Sequence, residues 1–208
     1  MMAADEIRRL MTLLETAQQT FPQGFDELIR LCPEIGWWFN GAYMKAGLAE
    51  ESLAGVIRAF ELAAPLHRVA APMRLWRFTH LDRIDTEASY ALPSDKRLSS
   101  WSEDEMGARM VFGFVGGGRT LPGNYALLEA EIAPEQIVWT TRHLDILQNL
   151  LERYMDAPPD PSLERASIRA WNTLDSNARP HTWQREVIVL LPTVQPIPVL
   201  SVTPITVR

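Results

Sequence analysis

Gln184-Arg185-Glu186-Val187-Ile188-Val189-Leu190-Leu191 is the stretch on which the reading of this chain turns. A short unbroken apolar run rich in β-branched residues reads as a buried strand, and here a carboxylate stands at its mouth. Alternate side chains of a strand share a face, so Gln184 and Glu186 are expected to point one way and Arg185 the other. An amide and a carboxylate then look into a common space, a donor and acceptor set that suits the paired hydroxyls of a sugar. Burial beside the strand is expected to keep that carboxylate short of water.

Two upstream stretches have the same character. Arg74-Leu75-Trp76-Arg77-Phe78-Thr79 reads as a short strand in which two arginines interleave with aromatic and aliphatic residues, and Leu98-Ser99-Ser100-Trp101-Ser102 reads as a strand ending in hydroxyls. Glu103-Asp104-Glu105-Met106-Gly107-Ala108-Arg109-Met110-Val111-Phe112 follows at once and reads as a helix, with Ser102 as its expected cap and three acids in its first turn. The order along the chain is therefore basic strand, hydroxyl strand and helix, carboxylate strand.

Leu75-Trp76-Arg77, then Ser100-Trp101-Ser102 with its acidic helix, then Gln184-Arg185-Glu186-Val187 resembles the Arg, Ser-x-Ser, Gln-x-Glu signature of the ADP-ribosyltransferases, in the cholera-toxin-like branch. The likeness covers roughly Met73 to Leu191, and it rests on three short motifs in the family's order. By this resemblance Arg77 grips the phosphates of NAD, a task that suits a planar, permanently charged guanidinium, with Arg74 as the fallback on the same strand. Ser100 orders the site and hydrogen-bonds the glutamate, and Ser102 supports it. Glu186 holds the nicotinamide-ribose 2′-hydroxyl while the glycosidic bond breaks, and Gln184 faces the incoming nucleophile. Phe112, with Trp101 and Phe114, supplies the aromatic rings from which a nicotinamide partner is drawn, and Arg119 is a minor phosphate contact.

The resemblance implies an enzyme that moves ADP-ribose from NAD to a macromolecular acceptor and releases nicotinamide, with NAD as substrate and no metal. Glutamine at 184, rather than glutamate, points away from arginine as acceptor and toward other protein side chains or a nucleic-acid base. Two further readings use the same scaffold. One is an NAD glycohydrolase, in which water replaces the acceptor. The other is an inactive binding protein with Trp37-Trp38-Phe39 as its contact surface, favoured by Phe78, because the arginine strand of the family often continues into a glycine that lets the backbone approach the dinucleotide.

Composition bounds these readings. The chain has 208 residues, a net charge of −6, 47% hydrophobic and 22% charged residues, the profile of an ordinary globular protein. An acidic chain disfavours a general polyanion binder, so a protein acceptor is preferred over nucleic acid. Cys32 is the single cysteine, which leaves no intramolecular disulfide, and His67, His80, His143 and His181 lack metal-ligand spacing. Neither a signal peptide nor an apolar run of membrane-spanning length is found, so a cytoplasmic protein is expected, with delivery into a host cell as toxin or phage effector left open.

The expected fold class is α+β. Apolar residues at helical spacing (Ile7 to Leu14; Phe25, Leu28, Ile29; Leu53, Val56, Ile57, Phe60) predict a helical lobe over 1–70, with breaks at Phe21 to Gly24 and Gly36 to Gly47 and with Trp37-Trp38-Phe39 as core between helices. Short strands after Pro72 predict a mixed, largely antiparallel β-sandwich of the ADP-ribosyltransferase type over 71–208. Tyr125 to Ile132 and Ile137 to Thr140 are strands, Leu144 to Met155 a helix, Ser162 the cap of another, and Gly116-Gly117-Gly118 a turn. The prolines at 192, 196, 198 and 204 belong to turns and edge strands.

Overall fold

The computed structural model describes residues 22–41, 50–81, 89–90, 97–116, 124–156, 161–179 and 185–205. Among them are the α-helices α1 (Pro22–Phe39), α2 (Ala54–Ala63), α3 (Glu105–Gly116), α4 (Thr141–Asp156) and α5 (Glu164–Asn177). The strands are β1 (Met73–Leu81), β2 (Ser89–Tyr90), β3 (Leu98–Ser102), β4 (Asn124–Ile132), β5 (Ile137–Trp139), β6 (Glu186–Leu190), β7 (Ile197–Pro198) and β8 (Ser201–Ile205). The α+β class is as expected. No helix of the described residues is long and apolar enough to cross a membrane.

The chain forms two units, residues 1–68 with 141–181 and residues 69–140 with 182–208. The helical unit is thus discontinuous. Helices α4 and α5, which the division at residue 70 assigned to the second domain, belong with α1 and α2: α1 lies along α5 and α2, and α4 along α5. Their apolar stripes explain it. Leu144, Ile146, Leu147, Leu150 and Leu151 of α4 are buried, as are Ala170 and Leu174 of α5, Val56, Ile57 and Phe60 of α2, and Leu28, Ile29 and Ile35 of α1. The aromatic run of α1 is core only in part: Trp38 and Phe39 are buried and each meets Phe60 edge-on at 6.3 Å, whereas Trp37 is exposed. The Ile7 to Leu14 segment lies outside the described residues.

Two boundaries differ from the sequence reading. The helix α1 runs a few residues into both expected breaks, starting at Pro22 and ending at Phe39, and it also contains Pro33. Pro22 opens the helix, where its missing N–H is one of the orphan donors. Gly36 is there for closeness, since a Cβ on it would stand 2.5 Å from Thr173 Cγ2 and 3.0 Å from the Thr173 carbonyl oxygen of α5. Helix α5 begins from Leu163 with no side-chain cap, and Ser162 falls in the preceding 3-10 turn, Pro161–Leu163.

The second unit is a six-stranded sheet in the order β5-β6-β3-β1-β4-β8, with β2 and β7 forming a separate two-stranded ladder. Every ladder is antiparallel rather than mixed. Alternation in β4 divides the two faces: Ala126, Leu128, Ala130 and Ile132 are buried on one side with Leu75, Trp101, Val187 and Val189, while Tyr125, Leu127, Glu129 and Glu131 take the other. Strand β6 is buried on both faces, since Ile188 is as enclosed as its neighbours, which accounts for its unbroken apolar run. Pro204 sits in β8 at the sheet edge and Pro198 in the short ladder, positions that tolerate a residue without an N–H.

Candidate functional site

Register sets Glu186, the first residue of β6, against the end of β3. Antiparallel pairing of β3 and β6 sets Ser102 opposite Glu186 and Ser100 opposite Ile188, so both serines share Glu186's side of the sheet. Trp101, between them, faces the opposite side, where it is buried and donates its indole N–H to Ser99 Oγ at 3.0 Å. That removes Trp101 from the rings considered for a nicotinamide partner. The same row continues across the sheet: Trp76 lies opposite Ser102, Glu129 opposite Trp76, and Ser201 opposite Glu129. Glu186, Ser102, Trp76, Glu129 and Ser201 thus form a line on one face.

Arg77 does not share that face. Because Trp76 is the residue opposite Ser102, strict alternation puts Arg77 on the side of Leu75 and Trp101, and its guanidinium carbon is 6.0 Å from the Trp101 ring centre. The side chain is longer than the spacing of about 4.8 Å between strands, so it can follow the β1–β3 seam. There Nη1 donates to the Ser100 carbonyl oxygen at 3.2 Å. Its charge is felt by the Glu186 carboxyl.

The electrostatics of Glu186 follow from this packing. Although the residue keeps partial solvent contact, the atoms crowded around its carboxyl desolvate it and push the pKa up from 4.5 to about 7. The Ser100 hydrogen bond and, after it, the Arg77 charge act in the opposite direction and hold the rise there. The other carboxylate of the row behaves oppositely. Glu129 is held below its usual range, first by Ser201 Oγ, which donates to it at 2.7 Å, and then by Arg74. The two glutamates, separated by β3 and β1, thus shift in opposite directions for separate local reasons. Arg74 itself is exposed and engaged with Glu129, so Arg77 is the arginine whose field reaches Glu186.

The turn into β6 also departs from the sequence reading. The strand begins at Glu186, and Arg185 before it has φ 45, so the strand alternation that set Gln184 and Glu186 on one face does not run through Arg185. Gln184 lies outside the described residues, as does Arg119, and Phe112 lies on α3. The cap of α3 is Asp104 rather than Ser102: Met106 N–H donates to Asp104 Oδ1 at 3.1 Å, and Ser102 Oγ both accepts from the Asp104 amide and donates to its carbonyl. Glu105 is the one acid of the first turn. Phe78 stacks on Tyr125 with ring centres 5.3 Å apart and planes at 1°, which holds its ring over β4.

Sequence reasoning passed over Trp76, Glu129 and Ser201 as a row. The signal was present in the period-2 pattern of both strands, but only the cross-strand register lines them up. Among the described residues no group of three His, Cys, Asp or Glu gathers that would hold a metal ion. Searches against protein-family models, curated proteins and solved structures return no match for this chain. Chemically, the arrangement offers an enclosed carboxyl that is half ionised near neutral pH, a hydroxyl bonded to it, and a fixed positive charge alongside.

Proposed function

We propose that the chain is a mono-ADP-ribosyltransferase that takes ADP-ribose from NAD, transfers it to a macromolecular acceptor and releases nicotinamide. The observation that carries this reading is the enclosed Glu186 carboxyl, hydrogen-bonded by Ser100 and within the field of Arg77, three groups drawn from the three motifs that resemble the ADP-ribosyltransferase signature. An antiparallel sheet with a second short ladder is compatible with the β core of that family.

In the proposed reaction the bond between the ribose C1′ and the nicotinamide nitrogen breaks, its electron pair leaves with neutral nicotinamide, and the acceptor's nucleophilic atom forms the new bond to C1′ while losing its proton to water. Positive charge develops on the ribose ring as the bond lengthens. An ionised Glu186 beside that ring stabilises the charge and accepts the 2′-hydroxyl, and removing one such preorganised group typically lowers the rate on the order of 10² to 10³-fold. Ser100 keeps the carboxyl oriented. Arg77 favours its ionised form and, from the seam between β1 and β3, is the cation that the resemblance assigns to the NAD phosphates. The acceptor is a protein side chain other than arginine in preference to a nucleic-acid base, on the glutamine at 184 and the net charge of −6.

Purified chain, NAD labelled on the adenylate phosphate and a cell lysate provide the test. Label enters macromolecules with the native chain and is lost with Glu186→Ala; transfer undiminished by that substitution removes the assignment. Nicotinamide released at full rate with no macromolecule present assigns water as the acceptor instead.

A further inference from the structure

Among the described residues Arg185 is the non-glycine residue with a positive φ, 45. Left-handed backbone crowds the Cβ of an L-residue against the following carbonyl, so it persists only where the surroundings hold it, and such residues gather at working parts of proteins. What holds this one is a short chain of hydrogen bonds. The Arg185 carbonyl accepts the Glu103 N–H at 3.1 Å. One residue on, Glu186 lies opposite Ser102, whose Oγ donates to the Asp104 carbonyl at 2.8 Å and accepts the Asp104 N–H at 3.1 Å. Asp104 in turn caps α3 through Met106 N–H. The end of β3, the start of α3 and the entry to β6 therefore form one bonded knot, with the strained residue immediately before the site's carboxylate.

The Arg185 side chain is exposed, which locates its contribution in the backbone. Extended backbone at 185 would continue the strand into the preceding residues and let Glu186 follow the ordinary pleat at a frayed strand end. Left-handed backbone interrupts the pleat at 185, so that the strand starts at Glu186 itself, next to Ser102. We propose that Arg185 is a positioning residue whose left-handed turn, clasped by the Glu103 amide, directs the Glu186 carboxyl into its enclosed place beside Ser100. This rests on reading Glu186 as the site's carboxylate and is independent of the reaction that carboxylate serves.

The test follows the Glu186 carboxyl by carbon NMR in protein labelled at glutamate, with Glu186→Gln identifying the resonance. In the native chain it titrates at about 7. Arg185→Gly, which enters positive φ freely, keeps the midpoint within about half a unit of that value. Arg185→Val, whose β-branched side chain resists positive φ, brings the midpoint down toward 4.5 as the carboxyl returns to water. A native midpoint in Arg185→Val, or an equal fall in Arg185→Gly, overturns the proposal, the second because it moves the effect from backbone to guanidinium. Should Arg185→Val not fold, Arg185→Ala decides. It removes the guanidinium while leaving the turn as costly as before, and no fall is expected; a fall overturns the proposal. Because the readout needs no NAD, an absence of transfer activity leaves this result standing, and a failure here leaves the transfer assay standing.

Discussion

Replacing Glu186 by glutamine is expected to make the protein more stable at alkaline pH and no more stable at acid pH. The carboxyl titrates at 4.5 in an ordinary exposed setting and at about 7 in the fold. Below 4.5 both folded and unfolded chains carry it protonated, and burial is without penalty. As pH rises from 4.5 to 7 the unfolded chain ionises while the folded chain does not, so stability falls through that window and the deficit is complete above 7. At 1.36 kcal/mol per unit, the shift corresponds to a deficit of about 3 kcal/mol at pH 8 and only about 0.2 kcal/mol at pH 4. Glutamine keeps the shape and an acceptor for Ser100 but has no charge to desolvate. Glu186→Gln should therefore raise the melting temperature by roughly 6–12 °C at pH 8, at 2–4 °C per kcal/mol for a chain of this size, and leave it nearly unchanged at pH 4. Calorimetry of both proteins across pH 4 to 8 reads this directly. A gain that does not grow with pH, or a loss at pH 8, refutes the claim that the carboxyl is held at the cost of stability. Such a cost is expected where function requires a strained or desolvated group.

Three further outcomes follow from the same geometry. Arg77→Ala removes the positive charge that opposes desolvation, so the Glu186 midpoint should rise above 7, and Ser100→Ala should raise it further because its hydrogen bond is the stronger of the two opposing effects; carboxyl NMR titration with a fall in either variant contradicts this. Transfer needs the ionised carboxylate, whose fraction grows as pH rises toward the folded pKa, so kcat should climb about tenfold per pH unit below 7 and level off above it; a rate that declines over that range would assign Glu186 as a proton donor. Gly36→Ala drives a methyl group into Thr173 of α5 and should destabilise the helical unit by about 1–3 kcal/mol, part of which Thr173→Ser restores by deleting Cγ2; chemical denaturation of the double mutant with no recovery argues against the close approach.

Much of the sheet was legible because period-2 alternation is a local signal. Tyr125 to Ile132 and Leu98 to Ser102 announced strands within about a residue of their observed ends, and the prolines of the last segment fell at an edge and in a short ladder. Ser100 and Glu186 share one side of the sheet, whereas Arg77 starts from the other and acts on the Glu186 carboxyl through its charge. What escaped was set by tertiary contact or backbone geometry. Helices α4 and α5 join the N-terminal helices because their apolar stripes meet those of α1 and α2, a partnership no local pattern specifies. Gly36 looks like a break and is instead a point of contact. Asp104, two residues beyond the serine expected to cap α3, takes that task because Ser102 is committed to β3. Arg185 carries no side-chain signature of positive φ, so the alternation drawn from Gln184 to Glu186 ran through a turn.

The most direct measurement is the crystal structure of Glu186→Gln bound to NAD, the substitution being chosen to slow turnover while keeping the shape of the site. The account predicts the nicotinamide ribose with its 2′-hydroxyl on the side chain of residue 186, Ser100 bonded to the same group, and the diphosphate within reach of Arg77. NAD seated away from residue 186, or a crystal that remains empty at millimolar NAD while the unsubstituted protein also fails to bind it in solution, contradicts the account.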